Sequence, residues 1–199
     1  MLIDKNNPKK VLLTLLKDFS TTQTITFLGK HLDLTRVAIW NILQKLALEK
    51  YITLQQVGEG KTNTYIVKLN WDNPLVEKAL DLYLTEEALL QKRWEVNFKS
   101  LQSEVDFAML YGSILHHPQQ AHDIDILCIS DRKNFVKIQQ IIDAIQKTTH
   151  KKIHAILFTK HELLKELKKP NDAFINAIKT GIVLYGQESF IQFIRGVYK

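Results

Sequence analysis

An α+β chain of two domains is the fold this sequence predicts, and three observations predict it. Apolar residues recur at helical spacing as far as Leu46 and then give way to two alternating runs that end at Leu69. Asp72-Asn73-Pro74 opens a long apolar-rich stretch that reads as helix. From Val105 onward short apolar strands alternate with amphipathic helices, the pattern of a small mixed α/β domain. The expected division is residues 1–70, a helical linker over 71–103, and residues 104–199.

The elements follow in order. Lys10 to Phe19 places Val11, Leu12, Leu15, Leu16 and Phe19 on one helical face. Thr24 is placed to cap a short second helix carrying Ile25, Leu28 and Leu32, where Gly29 allows a neighbour to approach closely. After Asp33-Leu34, Thr35 caps a third helix with Ile39, Ile42, Leu43 and Leu46 as its apolar stripe. Ile52–Gln56 and Thr64–Leu69 read as a hairpin around the polar tip Gly58–Asn63. Three helices and a hairpin in this order make a winged helix.

In the middle stretch Leu75, Leu82, Leu89 and Val96 recur every seven residues, so the segment 74–102 is either a seam for a homodimer or a linker packed on its own domains. Thr85-Glu86-Glu87 marks a place where the helix restarts. Beyond it, the expected elements are strand Val105–Leu110, strand Ile124–Ser130, helix Lys133–Thr148, strand Lys152–Thr159, helix Lys160–Lys168, helix Asn171–Thr180 and strand Ile182–Tyr185.

Composition narrows the function classes. Nearly half of the residues are hydrophobic and 24% are charged, which excludes a disordered or fibrous chain. The net charge is +6, divided as +5 over 1–70 (ten Lys/Arg, five Asp/Glu), −3 over 71–105 (four, seven) and +4 over 106–199 (thirteen, nine). Basic ends around an acidic middle suit a polyanionic partner. No apolar run approaches the ~20 residues of a bilayer span, and the start Met1-Leu2-Ile3-Asp4-Lys5 lacks a signal-peptide core, so the cytoplasm is the expected compartment. The single Cys128, inside the run Ile126–Ile129, reads as a small core hydrophobe rather than a nucleophile.

The third helix leaves Arg36, Trp40, Asn41, Gln44 and Lys45 on its outer and lateral surfaces, and Lys61 lies at the wing tip. Arg, Asn and Gln can pair with base edges and Lys can neutralise phosphate, which makes this set the DNA-contact candidates. An outward Trp40 also suits a protein interface, the rival that the charge balance places second. The stretch Thr24–Leu46 resembles the helix-turn-helix of bacterial and archaeal winged-helix regulators, with Asp33 in the turn where those families often carry Gly. That resemblance covers residues 9–69 and implies DNA as a partner.

A second constellation is Leu110-Tyr111-Gly112-Ser113, followed after nine residues by Asp123-Ile124-Asp125. Strand alternation puts Asp123 and Asp125 on one face, where two carboxylates repel unless a cation lies between them. Gly112 permits close backbone approach, and Ser113 at a helix start could hold a terminal phosphate. His116, His117 and His122 lie between the two halves in a polar loop and read as solvated. There is no Walker-type phosphate loop, no nucleophile elbow and no Cys-x-x-Cys pair in the sequence.

Gly-Ser followed by Asp-x-Asp resembles the signature of the polymerase β-like nucleotidyltransferases, especially their small stand-alone members. The similarity spans residues 104–187 and includes Ile178–Gly186, which looks like the last helix and strand of those proteins. It implies Mg²⁺ (or Mn²⁺) held by Asp123 and Asp125, a nucleoside triphosphate held by Gly112 and Ser113, and two-metal phosphoryl chemistry. It also implies a third catalytic carboxylate on a neighbouring strand, where this chain has His154. The leading expectation is therefore a DNA-binding transcriptional regulator whose second domain binds nucleotide and metal and transfers weakly or not at all. Its rivals are an active nucleotidyltransferase acting on a protein, nucleic acid or small molecule, and a self-pairing module without nucleotide chemistry.

Overall fold

The computed structural model describes residues 6–58, 64–169 and 172–198. The chain divides into two compact units, Met1–Tyr83 and Leu84–Lys199.

In the first unit α1 (Asn7–Lys17) is followed by α2 (Ile25–His31) and α3 (Arg36–Leu48), and then by the antiparallel strands β1 (Ile52–Val57) and β2 (Thr64–Leu69). The core is built from the apolar stripes of those helices, with Val11, Leu16, Leu28, Ile39 and Leu43 fully enclosed. Thr24 and Thr35 cap α2 and α3, accepting hydrogen bonds from the backbone N–H groups of Phe27 and Ala38 at 3.1 and 3.2 Å. Both helices end in the same way. Beyond α2 the Leu34 N–H reaches the Gly29 carbonyl (2.8 Å) and Asp33 N–H the Lys30 carbonyl (3.4 Å); beyond α3 the Tyr51 and Lys50 N–H groups reach Leu46 and Ala47 (2.8 and 3.0 Å). These are Schellman pairs, and they demand a left-handed residue at the position Asp33 and Lys50 occupy, with φ of 53° and 61°. Lys61 of the hairpin tip lies outside the described residues.

The helix α4 (Pro74–Leu90) starts where the sequence sets it, with Asn73 Oδ1 accepting from Leu75 N–H at 3.0 Å. It runs through Thr85 without restarting and breaks instead at Gln91, beyond which α5 (Lys92–Asn97) begins. Val76, Leu80, Leu84 and Ala88 are buried, whereas Leu75, Leu82, Leu89 and Val96 are more than half exposed. The heptad residues are thus the outward stripe, and the break at Gln91 leaves three of the four on one helix.

The second unit is built on a four-stranded sheet, ordered β5-β4-β3-β6, from β3 (Phe107–Tyr111), β4 (Asp123–Ile129), β5 (Lys152–Phe158) and β6 (Ile182–Tyr185). β3 is antiparallel to both β4 and β6, while β5 runs parallel to β4 after the crossover helix α6 (Phe135–Gln146). Alternation sends Ala108, Leu110, Ile124, Ile126, Cys128 and Ile153 to one face, where Trp94, Phe98, Ile138 and Ile142 complete a core. The opposite face carries Phe107, Met109, Leu127 and Ile129, all buried, and receives α7 (Lys160–Leu167), α8 (Ala173–Thr180) and α9 (Gln187–Val197). Phe190 meets Phe107 edge-on at 5.5 Å, and Phe174 meets Phe158 at 5.3 Å. Cys128 is enclosed in the first of these cores, and burial pushes its thiol up to about 12, so it packs as the sequence predicts.

α9 has no counterpart among the elements expected from the sequence. Its Phe190, Ile191 and Ile194 are buried at helical spacing, and it covers the sheet face beside β3 and β6. Among the described residues no helix is long and apolar enough to cross a membrane.

Candidate functional site

The face that receives α7, α8 and α9 changes character along its strands. At one end β3 and β4 present Phe107, Met109, Leu127 and Ile129, which are buried. At the other end the same alternation presents Tyr111, Asp123 and Asp125, all partly open to solvent. One face therefore serves as core at one end and as a polar, partly exposed patch at the other.

Strand register assembles the patch. Tyr111 of β3 stands opposite Asp125, and Asp125 stands opposite His154 on the parallel β5. The His154 Nδ1 atom lies 3.3 Å from Asp123 Oδ2 and 3.6 Å from Asp125 Oδ1. Among the described residues, Asp123, Asp125 and His154 form the group of potential metal donors, with one atom from each within 4.8 Å of the others. The side chains of the three are 35%, 25% and 44% exposed, so an ion from solvent can reach them.

The electrostatics match this crowding. Partial burial, and then the neighbouring Asp123 carboxylate, raise the Asp125 carboxyl above the usual aspartate range, and His154 opposes the shift. Burial and the same two carboxylates push the Tyr111 phenol up to about 12. Excess negative charge at a half-dry site is what a bound cation would offset. Tyr111 is the residue sequence reasoning passed over. The signal was present in its odd-numbered place on β3, two residues after Met109, but its partner on β4 depends on register.

Gly112 closes the site from the β3 end. Its φ of 82° and ψ of −163° lie in a region open essentially to glycine alone. A Cβ built there would stand 2.3 Å from Asp125 Oδ2, so the backbone and the carboxylate occupy space that no side chain can share. Ser113 follows, exposed, at the start of a single 3₁₀ turn (Ser113–Leu115) rather than a longer helix. His116, His117 and His122 are exposed and stand outside the donor group.

The candidates for DNA contact lie on the first unit. Arg36, Asn41, Gln44 and Lys45 are exposed along α3. Trp40, read from the sequence on the outer or lateral surface, is half-buried, its indole tilted against Tyr65 of β2 with ring centres 5.2 Å apart. Ile25, Arg36, Val37, Trp40 and Tyr65 together line a hollow of about 320 Å³. Trp40 thus spends much of its surface tying α3 to the hairpin.

No curated protein and no solved structure matches the chain. The family described as "Polymerase beta, Nucleotidyltransferase" matches residues 96–190, a little under half of the chain, so the stretch that holds Gly112, Asp123, Asp125 and His154 is similar to nucleotidyltransferases of the polymerase β kind.

Proposed function

We propose that the second unit binds a nucleoside triphosphate together with a divalent cation, and that the first unit is a winged helix that delivers this domain to DNA. The observation that carries the reading is the meeting of Asp123, Asp125 and His154 beside the Gly112 turn, within the stretch similar to nucleotidyltransferases. Asp123 and Asp125 would hold the cation, and Ser113 and the backbone at Gly112 would meet the phosphates. The bound ion supplies charge neutralisation and alignment of a triphosphate. Metal and nucleotide recognition need only these groups.

Transfer asks for more, namely a group that holds the second ion at the attacking oxygen or accepts its proton. His154 occupies that place without a negative charge of its own, so the protein is proposed to bind nucleotide and to transfer it weakly or not at all. A regulator whose DNA contacts respond to nucleotide is the function that fits both units. Support for the DNA-binding part comes from the order of three helices and a hairpin, from the exposed Arg36, Asn41, Gln44 and Lys45, and from the +5 charge of residues 1–70 (ten basic, five acidic).

The test is transfer of label from α-labelled nucleoside triphosphates, run beside equilibrium binding of the same nucleotides, in wild type and Asp123→Ala. Metal-dependent binding that the variant loses, with little or no transfer, is the expected result. Sustained transfer that depends on Asp123 would make the protein an active transferase. Metal-dependent binding that survives in Asp123→Ala would remove the proposed site.

A further inference from the structure

The donor set of Asp123, Asp125 and His154 differs in kind from a carboxylate cage, and the difference predicts which ion it takes. We infer that His154 turns this centre into a mixed oxygen and nitrogen site selective for a borderline first-row transition ion, of which Zn²⁺ is the representative, over Mg²⁺. The inference rests on the reading of Asp123 and Asp125 as metal ligands and adds the identity of the ion.

Two independent observations carry it. The first is donor chemistry. Mg²⁺ is a hard cation that takes oxygen ligands and gains little from an imidazole, whereas Zn²⁺, Co²⁺ and Mn²⁺ accept imidazole and carboxylate together. The second is spacing. Zinc sites with ligands at about 2.0–2.2 Å have tetrahedral donor-to-donor edges of about 3.3–3.6 Å, while an octahedral Mg²⁺ at about 2.0–2.1 Å needs adjacent donors about 2.8–3.0 Å apart. His154 Nδ1 stands 3.3 Å from Asp123 Oδ2 and 3.6 Å from Asp125 Oδ1, closer to the wider edges, and one donor atom from each of the three lies within 4.8 Å of the others.

The surroundings fit three protein ligands and an open fourth position. The Gly112 turn packs against Asp125 on one side, where Oδ2 of that carboxylate takes the space a Cβ would fill, while Oδ1 faces His154. On the other side the His154 side chain remains 44% exposed, which leaves room for a water or a phosphate oxygen. Three protein ligands with one open position is the arrangement of catalytic rather than structural zinc sites. Among the described residues, no further His, Cys, Asp or Glu stands close enough to close the shell.

The experiment uses the full chain, stripped of metal and titrated with Co²⁺, Zn²⁺ and Mg²⁺, with Asp123→Ala, His154→Ala and His154→Asp beside it. The readouts are the visible absorption of Co²⁺, which reports the ion's coordination number and ligand field, and the shift of thermal midpoint with each ion. Circular dichroism confirms that each variant is folded, which the exposure of His154 favours. Wild type is expected to bind Co²⁺ and Zn²⁺ at least ~10-fold more tightly than Mg²⁺. His154→Ala should lose most of the Co²⁺ band, and His154→Asp should shift the preference toward Mg²⁺. Equal affinity for Mg²⁺ and Co²⁺, or a Co²⁺ spectrum unchanged in His154→Ala, would overturn the inference while leaving the metal site standing. Failure of every ion to bind wild type, or binding unaffected in Asp123→Ala, would overturn the site itself and the inference with it.

Discussion

The two units differ in how their proposed roles depend on individual atoms. In Leu84–Lys199 the site comes from a strand register that puts Tyr111, Asp125 and His154 side by side, and from a glycine whose missing Cβ is filled by Asp125. In Met1–Tyr83 the surface proposed to meet DNA is a set of exposed polar side chains on α3. A centre defined by close contacts fails at one substitution, whereas a surface that sums partial contacts weakens by degrees. The difference teaches where to look for function in each unit: at a point in the second, over a face in the first.

The sharpest way to press that comparison is with two glycines of the second unit. A Cβ on Gly186 would stand 2.0 Å from the Asp106 carbonyl oxygen at a φ of 73°, and a backbone atom cannot step aside. Gly186→Ala should therefore destabilise the unit by about 3 kcal/mol or more, read in urea or thermal unfolding. A Cβ on Gly112 meets a side-chain oxygen of Asp125 instead, so the chain adapts by moving the carboxylate. Gly112→Ala should cost about 1–3 kcal/mol in stability and yet abolish metal binding. Metal affinity that falls in both variants only in proportion to stability would erase the distinction between site and scaffold.

How far the sequence carried this result depends on the distance over which each feature is decided. Caps at Thr24 and Thr35, the alternation of β3 and β4 and the apolar faces of α1 and α3 are settled within a few residues, and they were legible. The facing of Asp123 and Asp125 followed from period two, and the identity of the third residue from the resemblance. What brings His154 within 3.3 Å of Asp123 is the parallel pairing of β4 with β5, which no local pattern encodes. The oxygen that Gly112 accommodates is set in the same way by the pairing of Tyr111 with Asp125. The contact of Trp40 with Tyr65 was not legible, because Tyr65 lies on β2, well beyond α3 in sequence. α9 is absent from the elements expected from the sequence, although Phe190, Ile191 and Ile194 mark its buried side.

In the first unit the comparison predicts graded effects. Arg36→Ala should weaken DNA binding by about 1–3 kcal/mol if Arg36 reads a base edge, with relaxed preference at one position of the site. Lys45→Ala should lower affinity across all sequences and reduce the dependence on salt by about one ion, the mark of a phosphate contact. Band-shift titrations at two salt concentrations distinguish the two. Affinity unchanged in both variants would take DNA binding away from this face of α3. Loss of all binding in either alone would show that this unit, too, depends on a single point.

The smallest predicted effect is a gain, and it sits at the turn between α2 and α3. Asp33 has φ of 53° because the Schellman pair of Leu34 N–H with the Gly29 carbonyl needs a left-handed residue there. A residue with a Cβ takes on strain in that region, though Asp tolerates it better than most. Asp33→Gly removes the strain and raises the entropy of the unfolded chain, two effects of opposite sign. Strain relief should win by about 0.5–1 kcal/mol, since the hydrogen bonds that fix the turn are backbone bonds and survive the change. The same variant removes a negative charge next to the start of α3, so DNA affinity should rise slightly at low salt and converge with wild type at high salt. Lys50→Gly is the matched control: it occupies the equivalent position after α3 with φ of 61°, and should gain stability while losing, not gaining, affinity for a polyanion. Stability rising in both variants while DNA affinity moves in opposite directions would separate what the turns do for the fold from what their charges do for binding. A fall in stability in both would mean that chain entropy outweighs strain at these turns.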